Sequence, residues 1–242
     1  MTLLSVADLD VRHGLLHAVR GVSLHVEQGE TIALVGANGA GKTTLLRALA
    51  GAHLPAAGQV LFAGADLTHV PAYRRVGAGI ALVPEGRRLF PHMSVEDNLL
   101  LARSAGRTGR WTIDSVMDAF PMLKPRRRAK AGSLSGGEQQ ATAIGRALMT
   151  NPDLLLLDEV SLGLSPLAVD RVYASLQTLM SSGATIILVE QDLNRTLAVA
   201  DRVLCMLEGK IVLQGRAKEM TREIITEAYF GLGRASDAGA SA

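Results

Sequence analysis

Cysteine is almost absent from this chain of 242 residues: Cys205 stands alone, inside the apolar run Val203 to Leu207. No disulfide can close within the chain, and Cys205 reads as a buried small hydrophobe. The six histidines show no metal spacing, so a zinc site is excluded as well. Aromatic residues make up only 3% against 48% hydrophobic, which makes the core aliphatic. Neither sign of charge prevails: 25 basic against 23 acidic residues leave a formal +2, too balanced to argue for nucleic acid or anionic lipid. No apolar run approaches the ~18 residues that cross a bilayer. The opening Met1-Thr2-Leu3-Leu4-Ser5 carries neither a basic region nor a long apolar stretch, and is not read as a signal peptide. No internal repeat is visible.

Against that background, Gly36 to Thr43 reads G-A-N-G-A-G-K-T and fills every fixed position of the phosphate-binding pattern G-x-x-x-x-G-K-[ST]. Small residues let the backbone curl, so that N–H groups of Gly36, Ala37, Asn38, Gly39, Ala40 and Gly41 can point at a phosphate chain. Lys42 supplies positive charge at the β- and γ-phosphates, and the Thr43 hydroxyl can ligate Mg²⁺, with Thr44 beside it. The context agrees. Thr31 to Val35 suits a buried strand, and Lys42 to Ala50 reads as a helix with Leu45, Leu46 and Leu49 on one face and Gly51 at its stop. Strand, loop and helix in that order aim a partly positive helix end at the phosphates. The chain is expected to bind a nucleoside triphosphate.

A second motif, Leu134-Ser135-Gly136-Gly137-Glu138-Gln139-Gln140, places Ser135 and Glu138 at capping-box spacing and leaves glycine N–H groups uncovered. It is a second anion site in one chain. A third, Leu154-Leu155-Leu156-Leu157-Asp158-Glu159, reads as a strand buried on both faces with two acids at its carboxyl end. Asp158 is then placed to hold Mg²⁺ through water.

These three motifs together resemble the ATP-binding-cassette proteins. The resemblance implies that Ser135, Gly136 and Gly137 close over the γ-phosphate held by a partner cassette, so that two ATP molecules are sandwiched. It implies that Glu159 polarises the attacking water as general base. It also implies an α/β phosphate-loop fold, with a mainly parallel core sheet, an antiparallel edge sheet and an inserted helical subdomain at about 94–150. The expected layout is a single domain over 1–231 and a disordered tail over 232–242. Local signals agree with it. Leu3 to Val6 and Val22 to Val26 alternate as half-buried strands, and Ser94 caps a helix. Thr112 to Phe120 has helical spacing, Ser165-Pro166 opens a helix, and Ala184 to Val189 is another buried strand.

Departures narrow the group. Glu85, in Val83-Pro84-Glu85-Gly86-Arg87-Arg88, stands where cassettes usually carry glutamine, and Gln191, in Val189-Glu190-Gln191-Asp192, stands where they usually carry histidine. With Ser161 to Pro166 these exchanges resemble the smaller ATPase subunit of branched-chain amino-acid importers and their relatives for amides and urea, over about Leu3 to Gly231. Glu85 modestly favours the amino-acid branch. It either binds the metal directly or serves the subunit contact. Alignment on Gly14 puts His13 where an aromatic ring usually stacks on adenine, so the base is expected to contribute little. Val160 replaces the proline that usually follows the acid pair, so a less rigid loop is expected. The residues Arg87 to Met93 either form the groove for a short helix of the membrane subunit or are a plain loop over a buried Phe90. The basic run Arg126 to Lys130 is a solvated face or a subunit contact rather than a nucleic-acid site.

The resemblance further implies Mg²⁺ as cofactor, two integral membrane permease subunits, an extracytoplasmic solute-binding protein, and a second cassette, either a different polypeptide or a copy of this one. No nucleic-acid partner is expected, and the chain is expected at the cytoplasmic face of the inner membrane. The rivals are an importer of urea or another small polar solute, and a soluble cassette acting on nucleic acid or ribosomes. That last class usually adds a coiled coil or a second cassette, for which 242 residues leave no room.

Gln191 can donate a hydrogen bond but cannot titrate. Turnover should therefore show no ionisation near neutral pH traceable to this position, whereas Gln191→His should introduce one in the pH–rate profile. No new ionisation in Gln191→His, together with unchanged turnover in Gln191→Ala, would make the residue a spectator.

Overall fold

Unbroken apolar runs become strands buried on both faces, and alternating runs become strands of a sheet with one face exposed. The computed structural model describes residues 1–230, and the tail expected at 232–242 lies outside the described residues. The strands are β1 (Thr2–His13), β2 (Leu16–Glu27), β3 (Thr31–Gly36), β4 (Ala57–Phe62), β5 (Ala65–Asp66), β6 (Ile80–Val83), β7 (Leu154–Asp158), β8 (Thr185–Val189), β9 (Arg202–Leu207) and β10 (Lys210–Arg216). The helices are α1 (Lys42–Leu49), α2 (Ala72–Ala78), α3 (Val95–Leu100), α4 (Ile113–Ala119), α5 (Gly136–Leu148), α6 (Pro166–Ser181), α7 (Leu193–Val199) and α8 (Arg222–Phe230).

The larger sheet runs β10-β9-β3-β8-β7-β6, parallel except for the edge strand β10. Every residue of β3, β7 and β8 is buried. The smaller sheet, β2-β1-β4-β5, is antiparallel, and its inward residues Leu4, Val6, Val22, Val26 and Val60 join α1 and one face of the larger sheet in a common core. A second core packs α3, α4 and α5 through Leu99, Val116, Phe120 and Ile144 onto Leu155 and Leu157 of β7. Both cores are aliphatic, as the composition requires, and Cys205 lies fully buried in β9.

The helix starts follow their caps. Ser94 bonds the Asp97 N–H and Asp97 reaches back, and Thr112 and Ser115 do the same for α4. Ser165 occupies the N-cap of α6 with Pro166 at the first helical position, but its hydroxyl makes no capping bond. The proline's fixed φ alone suits that start. The basic run is divided among partners: Arg126 pairs with Glu138, and Arg127 with Glu96 and Asp114. Among the described residues, no helix is long and apolar enough to cross a membrane.

The end of α1 is held by a charged residue in the core. Arg75 of α2 is 0% exposed, and its guanidinium donates to the carbonyls of Ala48, Leu49, Thr68 and Val70. Two of these are carbonyls at the close of α1, where a cation also meets the negative end of the helix dipole. Burial lowers the Arg75 pKa, and the charge of Asp66 acts against that. The fork geometry suits four divergent acceptors, which an ammonium cannot serve together. Gly51, at φ +72, leaves no room beside it: an added Cβ would lie 2.8 Å from Arg75 Nε. Arg75→Met should strip several buried carbonyls of their partner and cost about 3 kcal/mol of unfolding free energy in urea denaturation. Arg75→Lys should recover less than half of it.

Candidate functional site

The order of strands brings three loops together. β3, β8 and β7 are neighbours, so the loops leaving their carboxyl ends, at Gly36, Val189 and Asp158, emerge side by side. The first of them curls into α1. Gly36 and Gly41 are required there by close approach, because a Cβ on either would lie 2.4 Å from a backbone oxygen, of Met206 and Ala18 respectively. The loop is tied inside by Ala40 N–H to Ala37 O and outside by Gly209 N–H to Ala40 O. Asn38 and Gly39 form its exposed tip. Lys42 is buried, and its Nζ donates to Gly36 O at 2.7 Å and Ala37 O at 3.0 Å, which holds the ammonium under the loop it serves. Burial lowers its pKa, and the charges of Glu159 and Asp158 act against that.

Thr43, at the start of α1, donates its hydroxyl to Asp158 Oδ1 at 3.0 Å. Asp158 Oδ2 is buried and has no partner. Burial raises the Asp158 pKa, aided by the charges of Glu159 and Glu85 and opposed by the Thr43 bond and by Arg47. Glu159 follows with a left-handed backbone, φ +48, its N–H donating to Val189 O at 3.0 Å. Its Oε2 accepts from Gln191 Nε2 at 2.9 Å. The two exchanged positions of the sequence thus face the same place: Gln191 touches Glu159, and the Glu85 charge reaches Asp158.

One open cleft of about 520 Å³ is lined by His13, Asn38, Gly39, Gly41, Lys42, Thr43, Thr44, Glu85, Glu159 and Gln191. Gly36, Ala37 and Ala40 belong to the same loop but do not line the cleft, and neither does the buried Asp158, which reaches it through its bond with Thr43. His13 sits at the cleft edge with Nε2 3.2 Å from Thr44 Oγ1, its ring tilted against that of His53 at 4.3 Å between centroids. Leu16, Ala18 and Leu162 also line the cleft. The sequence offered no signal for them, since they are apolar residues whose place is set by the β1–β2 pairing and by the loop after β7.

Ser135, Gly136 and Gly137 do not reach this cleft. They line a separate depression of about 350 Å³ with Gly163, Leu164 and Ala168. Ser135 accepts from the Glu138 N–H while Glu138 Oε2 takes the Ser135 N–H at 2.8 Å, completing the capping box. Both glycines are closely approached: a Cβ at Gly137 would lie 3.0 Å from Ala168 Cβ, and one at Gly136 would lie 3.0 Å from Leu164 Cδ2, so either neighbour would have to give way by a few tenths of an ångström. Arg87 packs alongside, donating to Gln139 Oε1 at 3.0 Å, while Arg146 donates to Arg87 O at 3.1 Å. Gly86, Arg87 and Arg88 are three successive left-handed residues.

Two expectations change. Val160 does not loosen its loop: it is 1% exposed in the second core, and Ser161 beside it is fixed by two hydrogen bonds from its N–H and hydroxyl to Glu190. Packing and these bonds hold what a proline ring would have held. Phe90 is 52% exposed, so the loop Arg87 to Met93 does not bury it; the guanidinium of Arg146 lies 6.0 Å from its ring centre.

Residues 19–161 match the ABC transporter family. The chain belongs to that family. Among its relatives, the high-affinity branched-chain amino acid transport ATP-binding protein BraG of Pseudomonas aeruginosa is 40% identical over 95% of this chain and 100% of its own. A probable branched-chain amino acid transport ATP-binding protein LivF of Archaeoglobus fulgidus is 33% identical over 90% of this chain and 94% of its own. A nucleotide-free ATP-binding cassette from an ABC transporter superposes with a TM-score of 0.82 at 28% identity, over 95% of this chain and 99% of that one. An ABC cassette in its ADP conformation gives 0.80 at 27%, over 96% and 99%. The ABC cassette fold expected from the motifs is the fold observed, and the chain is an ATPase of this family.

Proposed function

We propose that this ABC ATPase drives an importer of branched-chain amino acids or related amides, working as one of two cassettes beneath two integral membrane permease subunits at the cytoplasmic face of the membrane. The observation that carries the reading is the separation of two anion-binding turns in one chain. The loop Gly36 to Thr43 and the turn Ser135 to Gly137 open into different depressions, which suits a nucleotide on the first being met by the corresponding turn of a partner cassette. The name of BraG and the 40% identity over its whole length support the solute class. The partner cassette is a different polypeptide or a second copy, and a solute-binding protein outside the membrane delivers the cargo.

In this reading the N–H groups of Gly39 to Thr43 and the Lys42 ammonium hold the β- and γ-phosphates, with His13 at the base and Thr44 beside the α-phosphate. Glu159 takes a proton from the attacking water. Its left-handed backbone and its bond to Gln191 hold the carboxylate over the cleft, which is what a general base requires. Gln191 orients both that carboxylate and the γ-phosphate. Mg²⁺ fits the residues present: the Thr43 hydroxyl and the partnerless Asp158 Oδ2 are hard oxygen donors, and the carboxylates of Asp158, Glu159 and Glu85 outnumber the Lys42 charge. Bound with the nucleotide, Mg²⁺ supplies charge neutralisation at the phosphates. Among the described residues no cluster of three His, Cys, Asp or Glu side chains could hold a metal unaided, which suits an ion shared with phosphates and water. The protein's share of the chemistry is positioning and electrostatics.

Glu159→Gln preserves a partner for Gln191 and removes the base. Turnover should fall about 10²- to 10⁴-fold with ATP affinity retained; turnover within tenfold of the natural chain would remove Glu159 from this role. Tagged chain recovered from gently solubilised membranes should bring down two polytopic membrane proteins and a second cassette. Recovery from the soluble fraction alone, or with nucleic acid, would sink the transport reading.

A further inference from the structure

We propose that Glu190 is a positioning residue for ATP hydrolysis: it ties the loop that carries Gln191 to the loop that follows Glu159. The proposal rests on the roles given above to Glu159 and Gln191.

Glu190 lies immediately after β8 and is 1% exposed, yet among the described residues no salt bridge reaches it. Burying a carboxylate without a cation is costly and requires hydrogen-bond donors in its place. Ser161 supplies two, its N–H to Oε1 at 3.0 Å and its hydroxyl to Oε2 at 2.6 Å. Burial raises the Glu190 pKa, against those bonds and the N–H of Gln191. One residue on, Gln191 donates to Glu159. The pairing of β7 with β8 ends at Asp158 and Val189, and it continues beyond the sheet as the Glu159 N–H bond to Val189 O, then two side-chain rungs, Glu159–Gln191 and Ser161–Glu190.

What this ladder holds is the link between the two anion sites. Leu162, next to Ser161, is 49% exposed and lines the cleft, while Leu164 packs where a Cβ on Gly136 would lie. A four-residue loop therefore runs from the cleft of the chain's own nucleotide to the turn that faces the partner's, and Glu190 fixes its first residue. Any displacement of Ser161 is passed to Gln191 through one side chain, and from Gln191 to Glu159.

Tyr173 of α6 is buried with its hydroxyl beside the same carboxylate, where it joins the donors that act against the rise in the Glu190 pKa, though at a geometry looser than an ordinary hydrogen bond. Burial pushes the Tyr173 pKa up, so the phenol keeps its proton.

The test is steady-state ATPase kinetics on the full chain, with thermal unfolding of each variant measured alongside. Glu190→Gln and Ser161→Ala should each lower kcat about 10- to 100-fold with KM for ATP within about twofold, as misplacement of a reacting group does. The double variant should be no worse than the poorer single, because both remove one interaction. A folded Glu190→Gln with unchanged kcat, or losses that multiply in the double variant, would overturn the proposal. Should the Glu190 variants fail to fold, Ser161→Ala decides alone: a folded Ser161→Ala with unchanged kcat would overturn the proposal. Glu159→Gln belongs in the same series. Full turnover there defeats the reading of the site, whereas a dead Glu159→Gln beside a fully active Glu190→Gln defeats this proposal alone.

Discussion

The parallel pairing of β3, β8 and β7 is the constraint on which everything else depends. Parallel strands start and finish together, so three loops far apart in sequence leave the sheet at one edge and in one direction. The phosphate loop, the Gln191 loop and the Asp158–Glu159 pair meet because β8 lies between the other two strands. The side-chain bonds Thr43–Asp158 and Glu159–Gln191 close the circuit from one loop to the next. Nothing in the site depends on a loop finding its own way to the centre.

Among the described residues charge is buried in four places, and each is met differently. Lys42 is held by the carbonyls of its own loop, Arg75 by carbonyls around the end of α1, and Glu190 by the N–H and hydroxyl of Ser161. Asp158 alone keeps a buried oxygen with no partner. Backbone groups do not move or titrate, so the first two are fixed props for the loop and for the helix it feeds. The imperfectly met group lies beside Thr43, at the cleft that Lys42 and Glu159 line. Of the four buried charges, the three fully met ones brace the surrounding loops, and the one left incompletely met adjoins the cleft.

Much of this was readable in the chain. The fixed pattern Gly36 to Thr43, the four leucines before Asp158 and the Ser135–Glu138 spacing each name a local conformation, and local conformations are what spacing encodes. The two departures, Glu85 and Gln191, were also visible, because they stand inside recognisable loops. What was not legible came from the third dimension. Strand order cannot be read from strand identity, so the Glu159–Gln191 bond and the burial of Glu190 could not be anticipated from V-E-Q-D. Val160 suggested a loosened loop only while Ser161 had no visible partner. His53 lies forty residues from His13 and meets it only after β1 and the loop beyond α1 are folded together. Nothing local distinguishes Arg75 from Arg74 beside it, and its burial follows only from where α2 packs on the end of α1.

Gly86, Arg87 and Arg88 have one more consequence. For a residue with a side chain, the left-handed conformation costs about 1–2 kcal/mol, so the two arginines together load this loop with several times the thermal energy. The load is retained because Arg87 is latched to α5 at both ends, by its side chain on Gln139 and by Arg146 on its carbonyl. The segment is a cocked spring rather than a slack tether. The same two bonds that hold the strained turn also fasten the Glu85 loop to α5, so neither the shape nor the contact can be lost without the other.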